Sequence, residues 1–433
     1  MAGADGRPIG ILAGGGSLPF EIAADLQQRG IAVHIVGIDG FVGSGVASFP
    51  HTIIGLGQLG GMLAALRDTG CREMVIVGAL ERPDLRRLRF DLGALRHLPA
   101  VLSLTRGGDD SLLRRIVRFF EGQGLIVRGI GEVAPGLLAP AGRIAGPTPC
   151  PRLEAAIGRA RAALADLSRF DIGQAAVARP DGLVAVEAAE GTRRMLARLA
   201  AAGGAGADAV LVKLPKLDQE MRIDLPAIGP DTVTRAAEAG LKGIAVLAGR
   251  TIAAQRAELV RRANSLRLFV EGIAEPTVAA PQRQNPAIPN QIALTFVTGS
   301  RLSPDTQASA IKGVRVVSAL TGYGIGQAAV VVRRHVLAVE AAEGSLALLD
   351  RVATLRQWGE SRHKRRGVAV LRAGAETGVR AIEAAARAGL EGVVIVATGP
   401  QSLSPVCEAT GAAARLGLFL ATVLVEELEA TDD

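Results

Sequence analysis

Residues 9–39 read IGILAGGGSLPFEIAADLQQRGIAVHIVGID, and the order of patterns in this stretch decides the fold. IGILA is a short apolar run without alternation, as in a strand buried on both faces, and it breaks on three glycines. FEIAADLQQRG then spaces its apolar residues at helical intervals and stops at Gly30, after which IAVHIVGID is a second buried strand. Two buried strands joined through a helix lie parallel, because only a crossover of that length returns the chain in the same direction. A further helix in GMLAALRDTG (61–70) and a strand in EMVIVGAL (73–80) continue the alternation. The first domain is therefore α/β and doubly wound, with a Rossmann-like sheet.

At 433 residues with 49% apolar content the chain is too long for one core and has enough apolar surface for several. Residues 131–152 hold five prolines and residues 275–291 hold four, which marks a boundary and a stiff linker. Between and beyond them the sequence repeats. IGQAAVARPDGLVAVEAAEG (172–191) and IGQAAVVVRRHVLAVEAAEG (325–344) agree at 13 of 20 positions without a gap. RAAEAGLKGIAVLAG (235–249) returns as EAAARAGLEGVVIVATG (383–399). The expected organisation is a Rossmann-like domain over 1–134, a second α/β domain over 135–274, a linker over 275–290, and a degenerate copy of the second domain over 291–433.

The two copies differ in one large block. After its strand the first copy carries KLPKLDQEMRIDLPAIG (213–229), where six of seventeen residues are charged and two are proline, and the second has only RAGAET (372–377). A fold that survives without the block does not need it, so its charges call for a chemical reason. Asp171 becomes Gly324, whereas Glu187 and Glu190 persist as Glu340 and Glu343, which leaves a structural role open for that pair.

Composition narrows the function. A net charge of +7 and a pI near 10.0 suit an anionic partner, and 3% aromatic residues provide few stacking platforms for nucleic acid. Cys71, Cys150 and Cys407 have neither disulfide nor metal spacing, which points to a reducing, cytoplasmic compartment. No apolar run reaches the roughly 20 residues of a membrane span, so any membrane association is expected to be peripheral. The five histidines lack zinc spacing, and no G-x-S-x-G elbow is present.

Four places carry candidate chemistry. Gly14, Gly15 and Gly16 sit between a strand and a helix, where backbone N–H groups hold a phosphate or simply turn the chain. GLGQLG (55–60), with Glu81 downstream, has the form of a dinucleotide motif outside the first βαβ unit. Asp109 and Asp110 precede an amphipathic helix, as caps or as contacts to Mg²⁺ or sugar hydroxyls. In the charged block Lys213, Lys216 and Arg222 can neutralise phosphate, and Asp218, Glu220 and Asp224 can hold Mg²⁺ or activate water. The alternative there is a solvated loop of mixed charge; its loss from the second copy favours the chemical reading.

Six motifs in order, GILAGGGSLP, ERPDL, GDDSLLRR, DIGQAAV, LVAVEAAEGT and KLPKLDQEMRIDLPAIGPDTV, resemble the LpxI-type UDP-2,3-diacylglucosamine pyrophosphatases of lipid A biosynthesis over about residues 7–273. The resemblance implies Mg²⁺-dependent hydrolysis of UDP-2,3-diacylglucosamine to UMP and 2,3-diacylglucosamine 1-phosphate (lipid X), with substrate between the two domains. It makes the aspartate of R-x-D-L-P, Asp224, essential for turnover and a metal ligand, with Lys213 and Arg222 beside it in catalysis. Gly14, Gly15, Gly16, Ser17, Asp109, Asp110, Asp171, Gln174, Glu187, Glu190, Thr192 and Lys216 are the expected substrate-binding residues. Departures from the family pattern are Gln219-Glu220 in place of Gln-Asp and the missing lysine in GQLGGM. The extra copy, without Asp171 and the block, is expected to be catalytically dead and to act as a built-in dimer partner or as a passenger. Competing functions are an NAD(P)-dependent oxidoreductase using Gly55, Gly57 and Gly60, and a non-catalytic nucleotide- or lipid-binding protein. Residence near the anionic inner membrane follows from the basic charge.

Overall fold

The computed structural model describes residues 6–80, 91, 109–216, 219–275, 292–299, 302–341, 343–355, 365–374, 376–399 and 404–425. Strands β1 (Ile9–Ala13), β2 (Val33–Ile38), β3 (His51–Ile54), β4 (Glu73–Val77) and β5 (Ile126–Val127) form a parallel sheet in the order β3-β2-β1-β4-β5. Alternation along β1 sends Ile9 and Ile11 to one face and Leu12 to the other. Ile9 and Ile11 pack with Ile22 and Leu26 of α1 (Leu18–Gln28). Leu12 packs with Met62 and Leu66 of α2 (Leu59–Asp68) and with Val117 and Phe120 of α3 (Asp109–Gly122). Helices thus cover both faces, as the alternating sequence implies. The strand order reverses between β1 and β4, which opens a crevice at their carboxyl ends.

Backbone crosses backbone at that crevice. A Cβ on Gly14 would lie 2.7 Å from the Ala79 carbonyl oxygen, and one on Gly78, at φ +104°, would lie 2.7 Å from the Gly14 carbonyl carbon. Val133 and Ala134 still pack in the first domain, whereas Ala139 and Ala145 pack in the second, so the chain changes domain inside the proline-rich stretch.

The second domain adds β6 (Gly142–Ala145), α4 (Pro151–Ser168), β7 (Ala175–Arg179), β8 (Gly182–Val186), α5 (Gly191–Ala201) and β9 (Val210–Lys213). After the charged loop come β10 (Ala227–Ile228), α6 (Pro230–Glu238), β11 (Gly243–Leu247), β12 (Ile252–Ala253), α7 (Arg256–Ser265) and β13 (Phe269–Ile273). Its sheet has the order β6-β13-β11-β9-β7-β8, with β9, β11 and β13 parallel and β7 antiparallel to both β8 and β9. The carboxyl ends of β8 and β9 and the amino end of β7 therefore share one edge. The short pair β10–β12 stands outside this sheet, and Ala227 and Ile252 pack on the first domain's core.

The third unit repeats the second. Strand β14 (Thr295–Thr298) is followed by α8 (Pro304–Thr321), β15 (Ala328–Val332), β16 (His335–Val339), α9 (Ser345–Leu355), β17 (Val368–Arg372), α10 (Val379–Arg387), β18 (Gly392–Ala397), α11 (Ser404–Leu416) and β19 (Phe419–Leu424). The sheet order β14-β19-β18-β17-β15-β16 matches the second domain strand for strand. A detail of packing recurs as well: Gly243 pairs with Phe269, and Gly392 with Phe419, and in each pair the ring lies where a glycine Cβ would project. Among the described residues no strand pair corresponds to β10–β12.

The two copies share one core. Ala156, Ile157 and Leu164 of α4 and Ala310, Val314 and Leu320 of α8 belong to a single buried cluster, and the α4 residue Asp166 accepts a hydrogen bond from the Tyr323 hydroxyl. Four charges meet at the seam, Glu190 buried and the other three partly so. Arg198 pairs with Glu190 at 2.7 Å and with Glu343 at 2.9 Å, while Arg351 pairs with Glu343 at 2.8 Å and lies 2.9 Å from Glu190 without hydrogen-bond alignment. Glu343 and Arg351 hold the repeat positions of Glu190 and Arg198. Each pair crosses to its counterpart, which is the pattern of an isologous twofold contact built within one chain. Losing one member would strand a partner's charge in the interior at a cost of ~3–5 kcal/mol.

Candidate functional site

The loop that interrupts the second domain begins where β9 ends. Lys213, its first residue, is partly buried, and its Nζ donates to the Ala227 carbonyl at 3.1 Å. Burial pulls its pKa down from the usual lysine range, opposed by the charges of Glu187 and Asp224. Glu187 follows β8 and so lies on the same sheet edge; burial pushes its carboxyl up, opposed first by Lys213 and then by a 3.0 Å hydrogen bond from the Thr192 hydroxyl. Each charge thus offsets part of the other's desolvation.

The turn before β7 brings a second pair to this edge. Lys216 Nζ meets Asp171 Oδ1 at 2.7 Å, and Gln174 accepts the Leu214 N–H at 2.8 Å through its backbone carbonyl. Asp171 is held at φ +57°, and its repeat equivalent Gly324 at φ +75°. The left-handed conformation is one glycine adopts freely and an aspartate adopts at a cost. The first copy keeps a carboxylate where the backbone favours glycine, a pattern associated with functional positions.

Asp224 lies farther along the loop, its N–H donating to the Glu220 carbonyl at 2.9 Å. Its neighbours Ile223 and Leu225 pack against the first domain, each on a different one of its two core clusters. The chain at Asp224 is therefore seated on the first domain, while its carboxylate acts on Lys213 of the second. Substrate held between domains would meet both.

The structure brings Lys213, Glu187, Thr192, Asp224, Lys216, Asp171 and Gln174 together and sends other candidates elsewhere. Glu190 is committed to the buried ion pairs between copies. Arg222 gives Nε and one terminal nitrogen to Glu220 at 2.8 and 2.9 Å and the other to Glu121 of α3 at 2.7 Å. Gly14 and Gly15 serve the crossing with Gly78 and Ala79, whereas Gly16, at φ +97°, has open space where a Cβ would stand. Ser17 donates from its hydroxyl to Glu21 at 2.8 Å. Asp109 and Asp110 open α3, and their side chains, like Asp218, lie outside the described residues. The GLGQLG segment follows the edge strand β3, away from the crevice, and the Gly61 N–H in the first turn of α2 donates to the Asp91 carboxylate at 2.9 Å. A carboxylate at that helix end disfavours a pyrophosphate there; Glu81 lies outside the described residues.

Two residues near the site were not among the expected site residues. Gln219 is buried, accepts the Lys216 N–H at 2.9 Å through Oε1, and its Nε2 has no hydrogen-bond partner among the described residues. Lys312 of the third unit lies within electrostatic range of Asp171 and Lys216, and its ammonium is bonded to the Arg334 carbonyl at 2.8 Å. Ile223 and Leu225 were not among the expected site residues either, and the sequence shows them only as apolar residues on either side of Asp224.

At the matching edge of the third unit, strand register aligns Leu371 with Lys213. Glu340 keeps its hydroxyl partner, Ser345, at 2.7 Å, and Glu376 of the short connection accepts the Ser345 N–H at 2.7 Å. A cavity of ≈ 240 Å³ remains beside them, lined in part by Gln327 and Arg372. Without a lysine, burial raises the Glu340 pKa from 4.5 to about 7. A carboxyl whose pKa is raised by folding contributes stability that is complete below the unfolded value and is lost as pH rises through the folded one. Resistance to urea is thus expected to fall between pH 4.5 and about 7, and Glu340→Gln should remove that part of the decline. An identical pH dependence in the variant would contradict the assignment.

Comparison with known proteins finds two family models along the chain. The family model described as the LpxI N-terminal domain matches residues 8–137, and that described as the LpxI C-terminal domain matches twice, at 140–271 and 294–421. The UDP-2,3-diacylglucosamine pyrophosphatase LpxI of Caulobacter vibrioides is 38% identical over 273 residues, 62% of this chain and 98% of that relative.

Proposed function

The chain belongs to the LpxI family, and from that premise we propose that it hydrolyses the pyrophosphate bond of UDP-2,3-diacylglucosamine, releasing UMP and 2,3-diacylglucosamine 1-phosphate. One observation carries the reading beyond likeness: Asp224 is seated on the first domain while its charge acts on Lys213 of the second. Phosphoanhydride hydrolysis asks for water placed in line and for neutralised phosphate charge. Asp224 orients the water and accepts its proton. Lys213 compensates Glu187 and steadies Asp224, and Lys216, held at the mouth by Asp171, exchanges that partner for the diphosphate. Glu187 and Thr192 fix the lysine from the opposite side.

Mg²⁺ fits this arrangement in one way. Among the described residues no three His, Cys, Asp or Glu side chains gather as a ligand set. Asp224 would hold the ion by one carboxylate together with the substrate's phosphates, a common mode for this metal, and the ion would supply charge neutralisation at the diphosphate. The net charge of +7 favours residence near an anionic membrane surface, and no helix among the described residues is long and apolar enough to cross one.

The third unit is read as non-catalytic, since Leu371, Gly324 and the short connection replace Lys213, Asp171 and the loop. Its role is that of an internal partner, because the shared core and crossed ion pairs give the second domain a twofold contact that would otherwise require another molecule.

Incubating the chain with labelled substrate and Mg²⁺ should release UMP, and Asp224→Ala should abolish the release while retaining substrate binding. Wild-type protein that binds substrate and yields no UMP would leave a binding protein in place of an enzyme. A chain ending at Ala274 should associate or precipitate on gel filtration, because the face around Ala156, Ile157 and Leu164 is uncovered; a soluble, fully active monomer would show the third unit to be a passenger.

A further inference from the structure

Arg222 is a cation in the loop that carries Asp224, and its three bonding nitrogens are all directed at carboxylates. Nε and one terminal nitrogen embrace Glu220 at 2.8 and 2.9 Å, a bidentate geometry that fixes the guanidinium plane. The remaining terminal nitrogen reaches Glu121, near the end of α3 in the first domain, at 2.7 Å. Glu220 is mostly buried, while Arg222 and Glu121 are a little over one-third exposed. The Cα of Arg222 lies 3.5 Å from where a Cβ on Gly129 would stand, so the backbone here is pressed against the first domain. Ile223 follows in the first domain's core, and Asp224 comes next. A guanidinium so occupied would have to abandon two carboxylates to serve a phosphate. Lys216, which meets Asp171 within electrostatic range of Glu187, is the cation this reading assigns to the phosphates.

We propose that Arg222 is a positioning residue and not a phosphate ligand: with Glu121 and Glu220 it forms a strut between the first domain and the loop that sets where Asp224 stands. The inference rests on the hydrolytic reading above for its kinetic readout, and a second readout is independent of that reading. A strut acts through position, so its loss lowers turnover and leaves ground-state binding nearly intact, whereas loss of a phosphate contact raises KM. Glu121 provides the decisive variant, because it lies in another domain and bears the charge of the substrate's phosphates. It cannot be replaced in role by a substrate contact.

The experiment is a double-mutant cycle of Glu121→Ala and Arg222→Gln, read by steady-state kinetics of UMP release and by the rate of tryptic cleavage within residues 213–222. Each single variant should lose about tenfold or more in kcat, as small misplacements of a reacting group do. KM should move less than about threefold, and the double variant should be no worse than the poorer single, the non-additivity of coupled residues. Both single variants should be cut faster by trypsin, and Arg222→Lys should recover part of the loss in kcat. A silent Glu121→Ala, additive losses, or an effect of Arg222→Gln confined to KM would overturn the strut. If Arg222→Gln fails to fold, Glu121→Ala and Glu121→Gln alone decide, since turnover and trypsin resistance unchanged in both would exclude it. Protein without pyrophosphatase activity would defeat the hydrolytic reading, while the tryptic comparison would still test the strut.

Discussion

The electrostatic coupling of Lys213 with Glu187, both partly buried, is the constraint from which the candidate site is built. Each charge offsets part of the other's loss of water, and each stands at the carboxyl end of a strand that shares one sheet edge. The pair fixes where the loop must start and gives Asp224 a positive neighbour. The loop then leaves the second domain and is seated on the first through Ile223 and Leu225. Two domains are needed to hold it.

The third unit shows what that constraint costs when it is removed. It has the same strand order, the same glycine–phenylalanine packing and the same hydroxyl beside the retained glutamate. Leucine replaces the lysine, the carboxyl rises toward neutrality, and the connection shortens to six residues whose Glu376 turns onto the amino end of α9. Scaffold and chemistry are separable here. What the third unit retains is the contact face, in which Glu343 and Arg351 complete the pairs begun by Glu190 and Arg198.

Much of this was legible in the chain. Buried strands alternating with helices announced the doubly wound sheet, and a gapless match at 13 of 20 positions announced the duplication. The loss of the loop from one copy singled out the block proposed to carry the chemistry. Fate of individual charges was not legible, because pairing is set by tertiary approach: Glu190 and Arg222 look like binding residues in sequence, yet their partners are 8 to 161 and 2 to 101 residues away in the chain. The triple glycine carried two meanings that sequence could not divide, backbone crossing at Gly14 and open space at Gly16.

The seating of Asp224 is tested most directly by unseating it while every charged group stays in place. Ile223→Ser combined with Leu225→Ser keeps Asp224, Lys213, Lys216 and Arg222 but removes the apolar grip of the first domain. Single-turnover release of UMP from labelled substrate should fall by about a hundredfold, the scale of loss for a reacting group displaced by an ångström, with the circular dichroism of the sheets unchanged. Release at the wild-type rate would contradict a site assembled between the two domains.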